Sequence, residues 1–314
     1  MNNTVKKAVI PVAGYGTRFL PYTKAVPKPM LPIVNVPAIQ VIAEEAAMSG
    51  IEEIIFVVGQ HKEIIEGHFG ENPDLEAKLQ RGGKFDYLNA IKYPESIAKV
   101  HFVVQKQQRG TADAILAARD YIGDEPFAVM FGDDVMYNEG RPVIGQLMDA
   151  YQATGKTVIG CKQVPLKDVP KYASCEYSEA DGRMYAVTRL VEKPPIEAVK
   201  SNLAPLGRYV LAPTMMAILE TLTPGFNGEY QLTDALDIEA SSNGAIAYDF
   251  EGTRYDMGDR LGFLKANVEF ALRDPELADA FMAYLNTVVF ANSLHNISIN
   301  FAEPIAIHRA YTVS

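Results

Sequence analysis

The chain is poor in the features on which several protein classes depend. Among its 314 residues are two cysteines, Cys161 and Cys175, too few for a disulfide scaffold. Cys161 lies in the apolar run TVIGC and reads as a core thiol. Five histidines, His61, His68, His101, His295 and His308, show no zinc-ligand spacing with each other or with the cysteines. No apolar run approaches the roughly 20 residues of a membrane span. The apolar stretch after Lys6 and Lys7 is too short for a secretory leader, and it runs into Arg18 and Lys24. Positive charge is also scarce: 29 Lys and Arg stand against 39 Asp and Glu, a net charge of −10. That balance argues against a protein that coats nucleic acid or an anionic membrane. What remains reads most simply as a cytoplasmic protein, long enough to bury a sizeable core.

Short apolar runs alternate with helical patterns through the first half. Residues 8–14, 51–59, 100–105 and 127–134 read as strands; 38–50, 62–69 and 111–122 read as helices. Strands apolar on both faces, in β-α-β order, predict an α/β fold. It is a Rossmann-like, doubly wound, mostly parallel sheet flanked by helices. The second half is more mixed, with strands near 157–164 and 206–213. A hairpin over 173–194 turns at Asp181-Gly182. Helices follow at 213–221 and 231–242, strands at 245–250 and 253–257, and helices at 259–273 and 275–284. Residues 285–314 are less regular and apolar, and form a C-terminal appendage suited to a subunit contact.

Ligands of such sheets bind beyond the carboxyl ends of the strands. There the first strand delivers Gly14-Tyr15-Gly16-Thr17-Arg18, followed by Lys24 and Lys28 among Pro21, Pro27, Pro29 and Pro32. A Walker A loop needs Gly-Lys-Ser/Thr, which is absent. A dinucleotide fingerprint needs a third small residue where Phe19 stands, and an acid where the next strand ends in Val58-Gly59-Gln60. A proline-stiffened loop holding a guanidinium and ammonium groups suits a polyanion whose charge grows during reaction. A solvated basic loop is the plainer alternative.

A second strand ends in Gly132-Asp133-Asp134. Adjacent carboxylates in a phosphate crevice suit Mg²⁺, which takes few carboxylates and completes its shell with phosphates and waters. Neighbours on a strand point opposite ways, so one Asp, not both, meets the metal. Glu192-Lys193 and Asp256 stand at further strand ends. No Ser, Cys or His is arranged as an activated nucleophile. A site of cations, acids and backbone amides with no evident base suits an attacking group that is already an anion.

These residues, with the runs QKQQRGTADAI (105–115), LVEKP (190–194), GRYVL (207–211), GEYQLTDAL (228–236) and RYDMGDRLGFLKANVEFAL (254–272), give a sequence that resembles the sugar-1-phosphate nucleotidylyltransferases. Within them it is most similar to the bacterial UTP–glucose-1-phosphate uridylyltransferases. The motifs fall in the expected order over about residues 6–284. The resemblance implies UTP + α-D-glucose 1-phosphate ⇌ UDP-glucose + diphosphate, dependent on Mg²⁺. It implies that Ala13, Gly14, Gly16, Gln105 and Gly110 bind the nucleotide, and that Arg18 and Lys28 grip its β- and γ-phosphates. Asp133 would bind the metal, with Asp256 a second ligand. Glu192 and Gly207 would meet the glucose hydroxyls, and Lys193 the sugar phosphate.

The implied domain is 1–284, with a nucleotide half to about 135 and a sugar half at about 136–260. Residues 285–314 are the tail, and the implied assembly is a homodimer or homotetramer. Three places depart from the pattern: Pro29 for a usual Glu, Asn35-Val36 for Asp-Lys, and Ala173 for Gly. They leave two alternatives, a dTTP- or CTP-dependent enzyme and a catalytically weakened UDP-sugar-binding regulator.

Overall fold

A computed structural model of the chain describes residues 4–59 and 62–294. Nine strands form one sheet. From edge to edge they are Lys99–Val104, Glu53–Val58, Lys7–Pro11, Phe127–Met130, Leu203–Leu211, Thr157–Gln163, Ala245–Asp249, Met184–Glu192 and Ala173–Asp181. The first four run parallel, in registers such as Val9↔Ile55 and Val9↔Val129. The apolar runs of the inner three are buried on both faces, with Ile54 through Val58 wholly inaccessible, whereas the edge strand Lys99–Val104 is only half-buried. That is what parallel strands covered by helices require.

The sheet then changes direction. Leu203–Leu211 is antiparallel to both of its neighbours, Phe127–Met130 and Thr157–Gln163. Ala245–Asp249 returns parallel to Thr157–Gln163, and the hairpin Ala173–Asp181/Met184–Glu192 closes the edge antiparallel. The doubly wound reading therefore stands with a mixed sheet. One continuous core runs along it, from Val9, Ile55 and Phe127 to Tyr209, Leu236 and Ala247.

Several sequence boundaries shift for identifiable reasons. The strand expected at 127–134 stops at Met130, and Asp134 opens a separate strand, Asp134–Tyr137, paired with Thr253–Asp256. Gly132 lies against the Pro11 carbonyl and the Val12 side chain, so the chain leaves the sheet there. The helix expected at 111–122 breaks into Thr111–Leu116 and Arg119–Ile122. Pro73–Arg81 and Phe85–Ser96 carry too little apolar patterning to have been read, whereas Val143–Thr154 was passed over although Val143, Ile144, Leu147 and Tyr151 form a regular buried stripe along it. Pro73–Arg81 buries no residue at all; its end is set by Asn72, whose side chain accepts from the Leu75 N–H.

Residues through Leu264 form one compact unit, and those from Lys265 a second. The helix Arg260–Arg273 crosses the boundary, and Ala278–Leu294 is a single helix. Residues 285–294 are thus helical, not irregular as expected; 295–314 lie outside the described residues. Among the described residues no helix is long and apolar enough to cross a membrane.

Candidate active site

The first strand's end is built around a glycine whose backbone conformation and close neighbours both disfavour a side chain. Gly16 has φ 63°, and a Cβ there would stand 3.0 Å from both Lys28 Cβ and Thr23 Cγ2. The Thr23 hydroxyl donates to the Gly16 carbonyl at 2.8 Å. This closeness lets the loop fold back and bring Lys28 beneath the glycine turn. Short 3₁₀ turns at Thr17–Phe19, Tyr22–Lys24 and Lys28–Met30 shape the segment, and Pro27 fixes an extended backbone before the last one.

Lys28 reaches across to the second strand end, and its Nζ lies 2.6 Å from Asp133 Oδ2. The metal candidates converge on the same place. A methyl group on Gly258 would stand 2.9 Å from Asp256 Oδ1, 3.0 Å from Arg18 Nη2 and 3.1 Å from Asp133 Oδ2. Two carboxylates and a guanidinium thus surround one point. Burial raises the Asp133 carboxyl, but Lys28, with Arg254 and Arg18 beyond it, outweighs that effect, and its pKa falls below the ordinary value. Asp133 stays an anion. Arg18 has no hydrogen bond or ion pair among the described residues.

The neighbouring acid has a different fate. Asp134 is buried, and Arg254 clasps its Oδ1 with Nε at 2.6 Å and Nη2 at 2.5 Å. Burial, only partly opposed by Arg254, pushes the Asp134 carboxyl up to about 6. The same Nη2 lies 3.4 Å from Asp256 Oδ2, and Nη1 donates to the Tyr172 hydroxyl at 3.4 Å. Asp134 therefore faces inward as a structural group, as strand alternation predicts. Arg254 rivets three segments around the acids. Sequence reading passed over Arg254, although its i, i+2 spacing from Asp256 on one strand places both on one face.

Beside these groups lies a cavity of about 440 Å³ walled by Ala13, Gly14, Lys28, Gln105, Gly110 and Asp133, together with Pro29, Phe131 and Glu229. Six of the expected site residues thus share one chamber. Its far wall joins motifs distant in sequence: Tyr230 N–H donates to the Arg109 carbonyl at 2.8 Å, and Ala112 N–H to the Tyr230 carbonyl at 3.0 Å. Gly110, at φ 121°, sits between them, where a Cβ would be 2.8 Å from Tyr230 N. Gln108 donates to the Ala13 carbonyl, and Gln105 donates to Asp113 and to the Gly110 carbonyl. Gln108, Arg109 and Asp113 carried no sequence signal that set them apart.

Glu192, Lys193 and Gly207 are not among the residues that wall this cavity. Glu192 Oε2 accepts from the Thr233 hydroxyl at 2.7 Å, which links LVEKP to GEYQLTDAL. Lys193 has φ 42°, a left-handed conformation costing a non-glycine residue about 1 kcal/mol. Its N–H is held by the Tyr172 carbonyl at 3.0 Å, and its ammonium lies 5.6 Å from the Phe226 ring centre. Ala173 pairs directly with Glu192. Gly207 packs against the Asp134 carboxylate, which leaves no room there for a side chain. Its carbonyl accepts from Phe131 N–H at 2.9 Å, so it joins the sugar-side strand to the acidic loop.

A family model for nucleotidyl transferases matches residues 7–272. A UTP–glucose-1-phosphate uridylyltransferase of Staphylococcus epidermidis is 48% identical over 281 residues, covering 90% of this chain and 97% of its own. One from Staphylococcus haemolyticus is 47% identical over 286 residues, with 91% and 99% covered. Among solved structures, a UTP-bound UGPase from Acinetobacter baumannii aligns with TM-score 0.84 at 36% identity, over 90% of this chain and 99% of that one. A UDP-glucose pyrophosphorylase complexed with UDP-glucose aligns at 0.78 and 37%, over 86% and 100%. A mixed nine-stranded sheet, a glycine turn bearing cations and a match spanning both halves thus agree that the chain belongs to the nucleotidyl transferase family, among relatives that are UTP–glucose-1-phosphate uridylyltransferases.

Proposed function

We propose that the protein catalyses UTP + α-D-glucose 1-phosphate ⇌ UDP-glucose + diphosphate. The observation that carries this reading is the convergence of Arg18, Lys28, Asp133 and Asp256 beside a cavity of about 440 Å³ that Lys28 and Asp133 help to wall. Relatives of 47–48% identity over nearly the whole chain name the substrates.

In this reading the uracil enters the cavity between Ala13-Gly14 and Gln105-Gly110. The triphosphate then runs toward Lys28 and Arg18. Gly14 is exposed, and nothing lies within 4 Å of the place its Cβ would take, so the base approaches the backbone closely. The sugar phosphate sits with Lys193, and the glucose hydroxyls with Glu192 and the Gly207 backbone. A phosphate oxygen of glucose 1-phosphate attacks the α-phosphorus in line. The bond to the bridging oxygen breaks, and diphosphate leaves with the electron pair. The nucleophile is already ionised at neutral pH, so no protein base is needed. Arg18 and Lys28 neutralise the charge that gathers on the leaving group.

The two carboxylates fit a hard divalent cation. Asp133 is held ionised, and its Oδ2 and Asp256 Oδ1 each lie about 3 Å from one shared point, which the Arg18 guanidinium also borders. Asp133 and Asp256 would hold Mg²⁺, which would supply positive charge to offset that of the triphosphate. Lys28 and Asp133 neutralise each other across 2.6 Å. Lys28 would turn from Asp133 to a phosphate of the nucleotide, which would leave the Asp133 carboxylate for the cation. We further infer action in the cytoplasm and a homodimer or homotetramer. The assembly reading is motivated by exposed Met282, Tyr284 and Val289 on the helix Ala278–Leu294. Truncation after residue 284 should lower the solution mass to that of a smaller species; an unchanged mass would remove the tail from the interface.

The direct test is pyrophosphate release from UTP, dTTP, CTP and ATP against several sugar 1-phosphates. UTP with glucose 1-phosphate should give the highest kcat/KM. Nucleotide binding with no release for any pair would overturn the reading.

A further inference from the structure

One amide in the cavity wall has its polarity fixed from behind. Gln105 is buried and lines the cavity. Its Nε2 donates to Asp113 Oδ2 at 2.9 Å and, at 3.4 Å, to the Gly110 carbonyl. A carboxylate only accepts, so the Gln105 nitrogen, not its oxygen, must face Asp113. Arg109 anchors the other carboxylate oxygen, Asp113 Oδ1, with Nε at 3.1 Å and Nη2 at 2.6 Å. The Arg109 guanidinium lies 5.4 Å from the centre of the Tyr230 ring. Both Nε2 protons are thereby used inside the wall. Gln105 Oε1 has no donor among the described residues. Gly14 and Gly110 line the same cavity, and their N–H groups have no protein acceptor among the described residues.

We propose that Asp113, braced by Arg109, is a positioning residue. It turns Gln105 so that the base subsite presents an acceptor flanked by backbone donors, and so selects a pyrimidine imide over cytosine. This inference rests on the placement of the nucleotide base in the cavity. Uracil offers N3–H between two carbonyl oxygens, the complement of that pattern. Cytosine carries a bare N3 lone pair at the same place and an amino group where uracil has O4. Its N3 would face Gln105 Oε1 lone pair to lone pair, and its amino group would meet a donor. A subsite built to bond one pattern rejects an analogue lacking it far more strongly than an apolar pocket rejects a methylene, by about a hundredfold or more.

The locked amide also explains why Asp113 stands behind Gln105. With Asn at 113 the wall would offer both a donor and an acceptor, and the Gln105 amide would be free to turn.

The experiment measures equilibrium binding of UTP, CTP and N3-methyl-UTP to the full chain by calorimetry, then kcat/KM for UTP and CTP with glucose 1-phosphate. The wild-type protein should bind CTP and N3-methyl-UTP about a hundredfold more weakly than UTP. In Asp113→Asn, UTP should weaken about tenfold while CTP does not, so that their ratio falls by about tenfold or more. An unchanged unfolding midpoint shows that the variant is folded. CTP bound within tenfold of UTP by the wild type, or a UTP/CTP ratio unmoved in Asp113→Asn, overturns the proposal. The binding ratios need no turnover. A wild-type protein that keeps the preference for UTP yet releases no pyrophosphate supports this inference while overturning the transferase reading.

Discussion

Replacing Lys28 with Met separates what the residue contributes to folding from what it contributes to chemistry. In the folded protein its ammonium lies 2.6 Å from Asp133 Oδ2, with side chains 16% and 30% exposed. Exposed pairs are worth about 0–1 kcal/mol, and breaking a fully buried pair costs about 3–5. A pair at this depth falls between them, so Lys28→Met should destabilise by about 1–3 kcal/mol. The catalytic loss should be larger. Removing one preorganised group from developing negative charge costs about 2.7–4 kcal/mol, or a hundred- to a thousandfold in rate. The double variant Lys28→Met/Asp133→Asn distinguishes the two effects. It removes the stranded charge, so denaturant unfolding should show about 1 kcal/mol of stability regained, whereas pyrophosphate release should stay at or below the single variant's rate. A Lys28→Met protein with kcat/KM within threefold of wild type would refute the role, as would activity restored in the double variant.

Arg18 makes no hydrogen bond or ion pair among the described residues and meets Asp133 only through longer-range attraction, so Arg18→Ala should leave the unfolding midpoint little changed. It should lower kcat about a hundredfold or more, and a selective rise in KM for glucose 1-phosphate would contradict this. Glu45 holds fully buried Arg208 through Nη2 at 2.6 Å and also accepts from Ile144 N–H at 2.9 Å. Glu45→Leu should therefore cost about 3–5 kcal/mol, most of it recovered in Glu45→Leu/Arg208→Met; a loss below about 1 kcal/mol in denaturant titration would mean the pair is relaxed away. Gly110→Ala puts a methyl 2.8 Å from Tyr230 N at φ 121°. Its KM for UTP should rise at least about tenfold with KM for glucose 1-phosphate little changed, and equal effects on both would place the fault elsewhere.

The two ends of the sheet were unequally legible. The runs at 54–58 and 127–130 are wholly apolar, and such runs declare burial on both faces whatever their neighbours do. Burial carries no direction, however, and nothing in GRYVL announces that Leu203–Leu211 lies antiparallel between two strands of opposite sense. The helices Pro73–Arg81 and Phe85–Ser96 escaped because they bury almost nothing, so no apolar stripe marks them.

The site divides in the same way. Gly16, Lys28 and Asp133 stand out locally, since a strand end, a glycine turn and a charge lie within a few residues. Arg254 acts through Asp134, 120 residues away. Asp113 acts through an amide whose orientation only the folded wall reveals. Groups that orient other groups leave little trace in sequence, because their partners are set by the fold.

The central claim is direct transfer: the site neutralises a departing diphosphate and forms no covalent bond to the nucleotide. Incorporation of labelled pyrophosphate into UTP tests it most directly, measured with and without a sugar partner. Incorporation should require glucose 1-phosphate or UDP-glucose and be absent with UTP alone. Label entering UTP without the sugar would reveal a uridylylated protein and contradict direct transfer.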